Sequence, residues 1–243
     1  MNIFTLFDSV FRSKKLLIGL LLAGAINCAS AGEAHLLVLN YHDIVSADKT
    51  KQPTDVMDVS IDHLEEHFAW LKNNGYNIIS VQEVFDAAAG KKALPNNSVV
   101  LSFDDGYQSF HDLVLPLLKK YHYSASLALV GEWMEGKDLP GKPLLSWDQV
   151  RGLVESGLVE IASHTYNQHK GIAANPQGSM QAAVITREYH AQTGKYESDA
   201  EYTERLRTSM IKSAEFIFQH AGIRPRVMVW PYGEYNQLAL AAA

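Results

Sequence analysis

Ser102-Phe-Asp-Asp-Gly106 sets two adjacent carboxylates, Asp104 and Asp105, at the end of an apolar run, Val99–Leu101, that reads as a buried strand. Side by side, one carboxylate can ligate a cation while the other takes a proton from the water bound to it. Sixty residues on, Ser163-His-Thr-Tyr-Asn-Gln-His169 follows a second strand-like run, Leu158–Ile161, and supplies His164 and His169. One carboxylate and two imidazoles with open positions suit a catalytic divalent cation. A spacing of five does not put the two histidines on one helix face, so the second must come from a turn after the strand. The two clusters together point to hydrolysis.

Strands and helices alternate around these clusters. Residues 35–41 form an apolar run that ends in His42-Asp43. Ser60 caps a helix with Ile61, Leu64, Phe68 and Leu71 on its inner face. Ser80-Val-Gln-Glu83 and Ser146-Trp-Asp-Gln149 read as capping boxes. Pro116 fits the helix after Asp105 only in its first turn or at a kink. Further strands are expected at 77–81, 124–130 and 227–230, a long helix at about 200–220, and the start of another at 238 with nothing to cap it. Residues 166–199 are polar and without a sustained period, and read as a long loop, functional or mobile. Such alternation means a parallel sheet, with every polar candidate at the C-terminal end of a strand.

Composition and the N-terminal segment narrow the function classes. The chain has 243 residues, a length at which an α/β barrel forms one domain. Arg12, Lys14 and Lys15 precede the apolar run Leu16–Ile26, and Ala29-Ser-Ala31 offers a small-residue cleavage site. Residues 1–31 thus read as a secretory signal peptide, too short and wrongly flanked for a membrane span. Cys28, the only cysteine, lies inside it. Asn27 before it is bulkier and more polar than lipoprotein processing favours. Removing the segment's three basic side chains and its one acidic side chain, Asp8, makes the net charge of −6 more negative by two. Such a surface disfavours nucleic acid as a partner. His63-Leu-Glu-Glu-His67 matches an inverted zinc-protease pattern, but the apolar stripe of its helix leaves both histidines facing solvent.

Ser-Phe-Asp-Asp-Gly, Ser-His-Thr-Tyr-Asn-Gln-His and Trp230-Pro-Tyr-Gly233 resemble the first three motifs of the polysaccharide deacetylases, the NodB-like carbohydrate esterases of family 4. Tyr41-His-Asp-Ile44 and the histidine spacing are similar to the branch that acts on poly-β-1,6-N-acetyl-D-glucosamine in biofilms. The resemblance covers residues 35–243 and implies a distorted (β/α) barrel, truncated at its C-terminal end, that removes acetyl groups with a divalent zinc, nickel, cobalt or iron ion. It implies Asp104 as general base and Asp105, His164 and His169 as metal ligands. His42 would be the proton donor or a residue bordering the pocket. Trp230, Pro231 and Tyr232 would form the pocket wall, with the Tyr232 backbone N–H toward the oxyanion. The broader family carries an arginine where Val229 stands, and this departure bears on how Asp104 is tuned. Arg226, three residues earlier on a strand, would face the other way. The expected protein is exported to the periplasm, with association at the outer membrane or with polysaccharide export machinery. Chitin oligomers, peptidoglycan, or a sugar-binding role with a decayed site stand as alternatives.

Overall fold

The computed structural model describes residues 36–46, 55–137 and 141–243. The leader segment and Cys28 lie outside them. In chain order the elements are β1 (Leu36–Tyr41), β2 (Ile44–Val45), β3 (Val59–Ser60), α1 (Ile61–Asn73), β4 (Asn77–Ile78), α2 (Val81–Ala88), β5 (Ser98–Phe103), α3 (Leu115–Tyr121) and β6 (Ala125–Leu129). They continue with α4 (Gly131–Met134), α5 (Trp147–Glu155), β7 (Val159–Ser163), β8 (Gly171–Ala173), β9 (Met180–Ala182), β10 (Tyr189–His190), β11 (Lys195–Tyr196), α6 (Asp199–Ala221) and α7 (Gln237–Ala242).

One parallel sheet organises the molecule. Its order is β1-β5-β6-β7, with β4 paired to the start of β5. All six residues of β5 are buried, as expected for a parallel strand covered on both faces. Alternation then sorts the side chains. Val99, Leu101 and Phe103 join Leu127, Leu129 and Ile161 in a core filled by Leu64 and Phe68 of α1, Leu118 of α3 and Leu153 of α5. The intervening residues, Ser102 and Ser126 among them, occupy the other face, where small side chains leave room.

The helix starts follow their capping sequences. Ser60 accepts from the His63 N–H, and complete capping boxes open α2, α5 and α6 at Ser80, Ser146 and Ser198. Pro116 sits in the first turn of α3, preceded by a π-helical turn over Phe110–Val114. Three expectations need correction. Residues 166–199 are not one loop but carry two antiparallel hairpins, β8–β9 and β10–β11. The run 227–230 makes only a bridge, Met228 to Ser163, because just two backbone hydrogen bonds tie it to β7. The final helix does have a cap, since the Asn236 side chain accepts from the Ala239 N–H at 2.8 Å. Among the described residues no helix is long and apolar enough to cross a membrane.

Candidate metal-dependent active site

Parallel strands deliver their C-terminal ends to one rim of the sheet, and five sequence-derived candidates, His42, Asp104, Asp105, His164 and His169, gather there. Tyr41 pairs with Phe103, and the ladder runs one step further as the Asp104 N–H donates to the Tyr41 carbonyl at 2.9 Å. That register sets His42 beside Asp104, with Nε2 4.0 Å from Oδ2. At the end of β7 the His164 N–H donates to the Leu129 carbonyl of β6. The chain then turns, so that His169 returns to the rim.

Asp105, His164 and His169 converge. The Asp105 Oδ1 lies 3.7 Å from the His164 Nε2 and 3.5 Å from the His169 Nε2, and all three ligand atoms fall within 4.8 Å of one another. Two ligands about 2.1 Å from a common ion at a tetrahedral angle stand about 3.4 Å apart, so the three fit one divalent cation. Asp105 Oδ1 is a buried acceptor without a hydrogen-bond partner, as a ligand awaiting a cation would be. The His164 Nδ1–H donates to the Val229 carbonyl at 2.8 Å, which fixes the tautomer and leaves Nε2 free to ligate. Burial pushes the His164 imidazole down to about 4 and lowers His169 as well, so both rings are neutral at neutral pH. Among the described residues this is the one such group. His63 and His67 are exposed on α1.

Asp104 is placed for different work. It is 4% exposed, and its Oδ2 accepts a hydrogen bond of 2.7 Å from the Asn40 side chain. Desolvation raises its carboxyl above the usual carboxylate range, against the lowering by Asn40 and by His42 and His169 nearby. Its Oδ1 is buried and unpartnered. The Asn40 amide thus holds Asp104 in a chain that has Val229 at the arginine position. The sequence signal was present, since Asn40 is two residues before His42 on a strand and shares its face. Arg226 is elsewhere, paired bidentately with Glu160 and bonded to Gln82.

A cavity of about 550 Å³ opens over these groups, and Asn40, His42, Asp104, Asp105, Trp133, His169 and Tyr232 all face it. Trp133 is both buried and part of this wall, its ring 4.7 Å from that of His169. Tyr232, 54% exposed, packs on the same imidazole from 4.6 Å. Trp230 and Pro231 differ from expectation and do not line the cavity. Trp230 packs instead on the cluster of Tyr202, Leu206 and Ala239, and Pro231 is buried as it opens a 3₁₀ turn. Asp43 accepts from the Ser109 hydroxyl at 2.6 Å and pairs with Lys142 at 3.1 Å, which holds the chain beside His42. Lys142 also bonds Asp58.

Backbone strain concentrates here. Asp105, Thr165 and Tyr232 have φ of 78°, 67° and 60°, in the left-handed region that L-residues adopt at a cost of about 1–2 kcal/mol each. Gly106 continues the turn at φ 78°, and a Cβ there would stand 2.8 Å from Leu129 Cδ2. The Asp-Asp-Gly sequence therefore makes the sharp turn that gives two neighbouring carboxylates different surroundings.

The polysaccharide deacetylase profile matches residues 91–243. The chain belongs to the polysaccharide deacetylase family. Its parallel sheet is accordingly the wall of that family's distorted (β/α) barrel. The solved de-N-acetylase from Aggregatibacter actinomycetemcomitans superposes with a TM-score of 0.79 at 43% identity, over 86% of this chain and 83% of that one. The BpsB deacetylase domain from Bordetella bronchiseptica gives 0.74 at 35% identity, over 86% and 84%. The poly-β-1,6-N-acetyl-D-glucosamine N-deacetylase of Escherichia coli K12 is 41% identical over 194 residues, 76% of this chain. That match spans only 29% of the Escherichia coli protein, so the chain covers less than a third of that relative's length.

Proposed function

We propose that the protein is an exported, metal-dependent N-deacetylase of poly-β-1,6-N-acetyl-D-glucosamine, formed by a domain over residues 35–243. The observation that carries the reading is the convergence of Asp105, His169 and the buried His164 beside the cavity that Asp104 and His42 line. A divalent cation held by those three ligands would polarise the acetamide carbonyl and acidify a bound water. Asp104, held by Asn40 and made more basic by burial, takes the water's proton. The Tyr232 backbone N–H, in the 3₁₀ turn at the cavity wall, would meet the developing oxyanion. His42, beside Asp104 in the cavity wall, delivers a proton to the departing amine. Acetate and a glucosamine unit leave.

The poly-β-1,6-linked polymer is favoured because solved relatives at 43% and 35% identity are named as deacetylases, and the Escherichia coli relative is named for this substrate. Export to the periplasm is supported by the pattern of residues 1–31, which would bring the enzyme to polymer leaving membrane-associated export machinery. Acetate release from β-1,6- and β-1,4-linked N-acetylglucosamine oligomers, measured with the metal-loaded protein, tests the reading. Release from the 1,6-linked series is the expected result. Preference for the 1,4-linked series would shift the assignment to chitin-type or peptidoglycan substrates, and binding without release would leave only a sugar-binding role.

A further inference from the structure

α6 lies outside the strand rim, yet three of its inward polar residues reach the segment that carries both histidine ligands. Ser209 and Ser213 are buried, at 3% and 0% exposure, where a helix ordinarily presents apolar side chains. Each has a partner in that segment. The Ser163 hydroxyl donates to the Ser213 hydroxyl oxygen at 2.8 Å. The Ser209 hydroxyl oxygen accepts from the Tyr166 N–H at 3.1 Å and the Asn167 N–H at 3.2 Å. The Arg205 guanidinium donates to the Gln168 side-chain oxygen.

Positions 205, 209 and 213 recur every four residues and so form one stripe, each step about 6 Å along the axis. The segment meets them in reverse order, 163 at Ser213, 166 and 167 at Ser209, and 168 at Arg205. It therefore runs antiparallel along the helix, pinned at three points between and beside His164 and His169. The same guanidinium bonds the Ala183 and Thr186 carbonyls at 3.1 and 2.9 Å and both oxygens of buried Glu197 at 2.8 and 2.9 Å. The two hairpins are thereby folded back onto the anchor of the Gln168 side chain.

We infer that Arg205, Ser209 and Ser213 are positioning residues for the metal centre, fixing where His169 stands relative to His164 and so setting cation affinity. His164 needs little such help, because β7 and the Val229 carbonyl already orient it. His169 is five residues along a turn that includes Thr165 at φ 67°. Without the stripe, two unsatisfied N–H groups and an unanchored Gln168 let that turn relax, and the ligand atoms separate.

The inference rests on the metal-centre reading given above, so its test reads metal binding directly. Cobalt(II) affinity, by chelator competition, and the visible absorption of bound cobalt are measured for the full chain and for Ser209→Ala, Arg205→Met, Ser209→Thr and Ile217→Val. Supporting positioning variants lose about ten- to a hundredfold in affinity and change the cobalt spectrum. Ser209→Thr, which keeps the accepting oxygen, recovers most of the loss. Ile217→Val trims the buried core face of the same helix, lowering the melting temperature while leaving affinity unchanged. Wild-type affinity and spectrum in both Ser209→Ala and Arg205→Met, with the wild type itself binding cobalt, overturn the inference alone. A wild type that binds no cobalt overturns the metal-centre reading and this inference with it.

Discussion

Asp104 and Asp105 are chemically identical neighbours, and only their surroundings separate them. Asp105 is turned by its left-handed φ toward two neutral imidazoles, whereas Asp104 continues the strand direction and meets an amide, Asn40, at 2.7 Å. Asp104→Asn is expected to keep nearly wild-type metal content and to lose at least about a hundredfold in acetate release, since basicity goes and the ligands stay. Asp105→Asn is expected to lower both, with metal content read by elemental analysis of the dialysed protein. Equal metal loss in the two variants would mean that the roles are shared or reversed. Stability supplies a second readout. Burial raises the Asp104 carboxyl above its ordinary value of 3.8, so on raising the pH the unfolded chain ionises first. In the metal-free protein this residue is therefore a destabilising contribution at neutral pH that vanishes below about pH 4. Asp104→Asn should raise the metal-free melting temperature at pH 7 and give no advantage near pH 4.

At the scale of elements, what was legible in the sequence was what local chemistry alone decides. Ser60, Ser80 and Ser146 cap their helices because each side chain reaches a backbone N–H three residues on, whatever the tertiary setting. The buried stripe of α1 and the strand before the aspartates follow from period, and Pro116 from its fixed φ. Residues 166–199 were opaque because their order comes from elsewhere. Their hairpins have two or three residues per strand, and half-buried Arg205 and buried Tyr202 of α6 hold their carbonyls. Trp230 was misplaced for a similar reason, since an apolar cluster with α6 and α7 competes for it. Gly131, at the start of α4, shows how tightly the site-bearing turn is packed. A Cβ there would stand 2.5 Å from Tyr166 Cδ2 and 3.0 Å from its Cα, whereas one at Gly152 in α5 would meet nothing within 4 Å. Gly131→Ala should therefore cost about 1–3 kcal/mol and weaken cation binding by moving the Tyr166 turn. Gly152→Ala, in a helix interior, should stabilise by about 0.5–1 kcal/mol. Thermal melts of both variants check the contrast, and a neutral Gly131→Ala would show that the turn yields freely.

Across the whole molecule, the parallel sheet makes residues far apart in sequence into neighbours, and His42 is where that matters most. It precedes the aspartates by some sixty residues, yet β1 pairs with β5 and brings its Nε2 to 4.0 Å from Asp104. Asp43, tied to Ser109 and Lys142, fixes the chain at that point. His42 shares the cavity with His169 but is not one of the three converging residues that could hold a metal ion. A proton donor in that place matters in proportion to how poor the leaving group is. An amine cannot leave unprotonated, whereas an activated phenolate needs little help. His42→Ala should thus slow turnover of an N-acetylated oligomer by about a hundredfold or more, while hydrolysis of an activated aryl acetate falls only a few-fold. Cobalt affinity should match that of the wild type, because no ligand has been removed. Parallel kinetics on the two substrates, with the metal content of each preparation measured, decide the matter. Equal losses on amide and ester would make His42 a substrate-positioning residue and assign the proton donor to another group on the cavity wall.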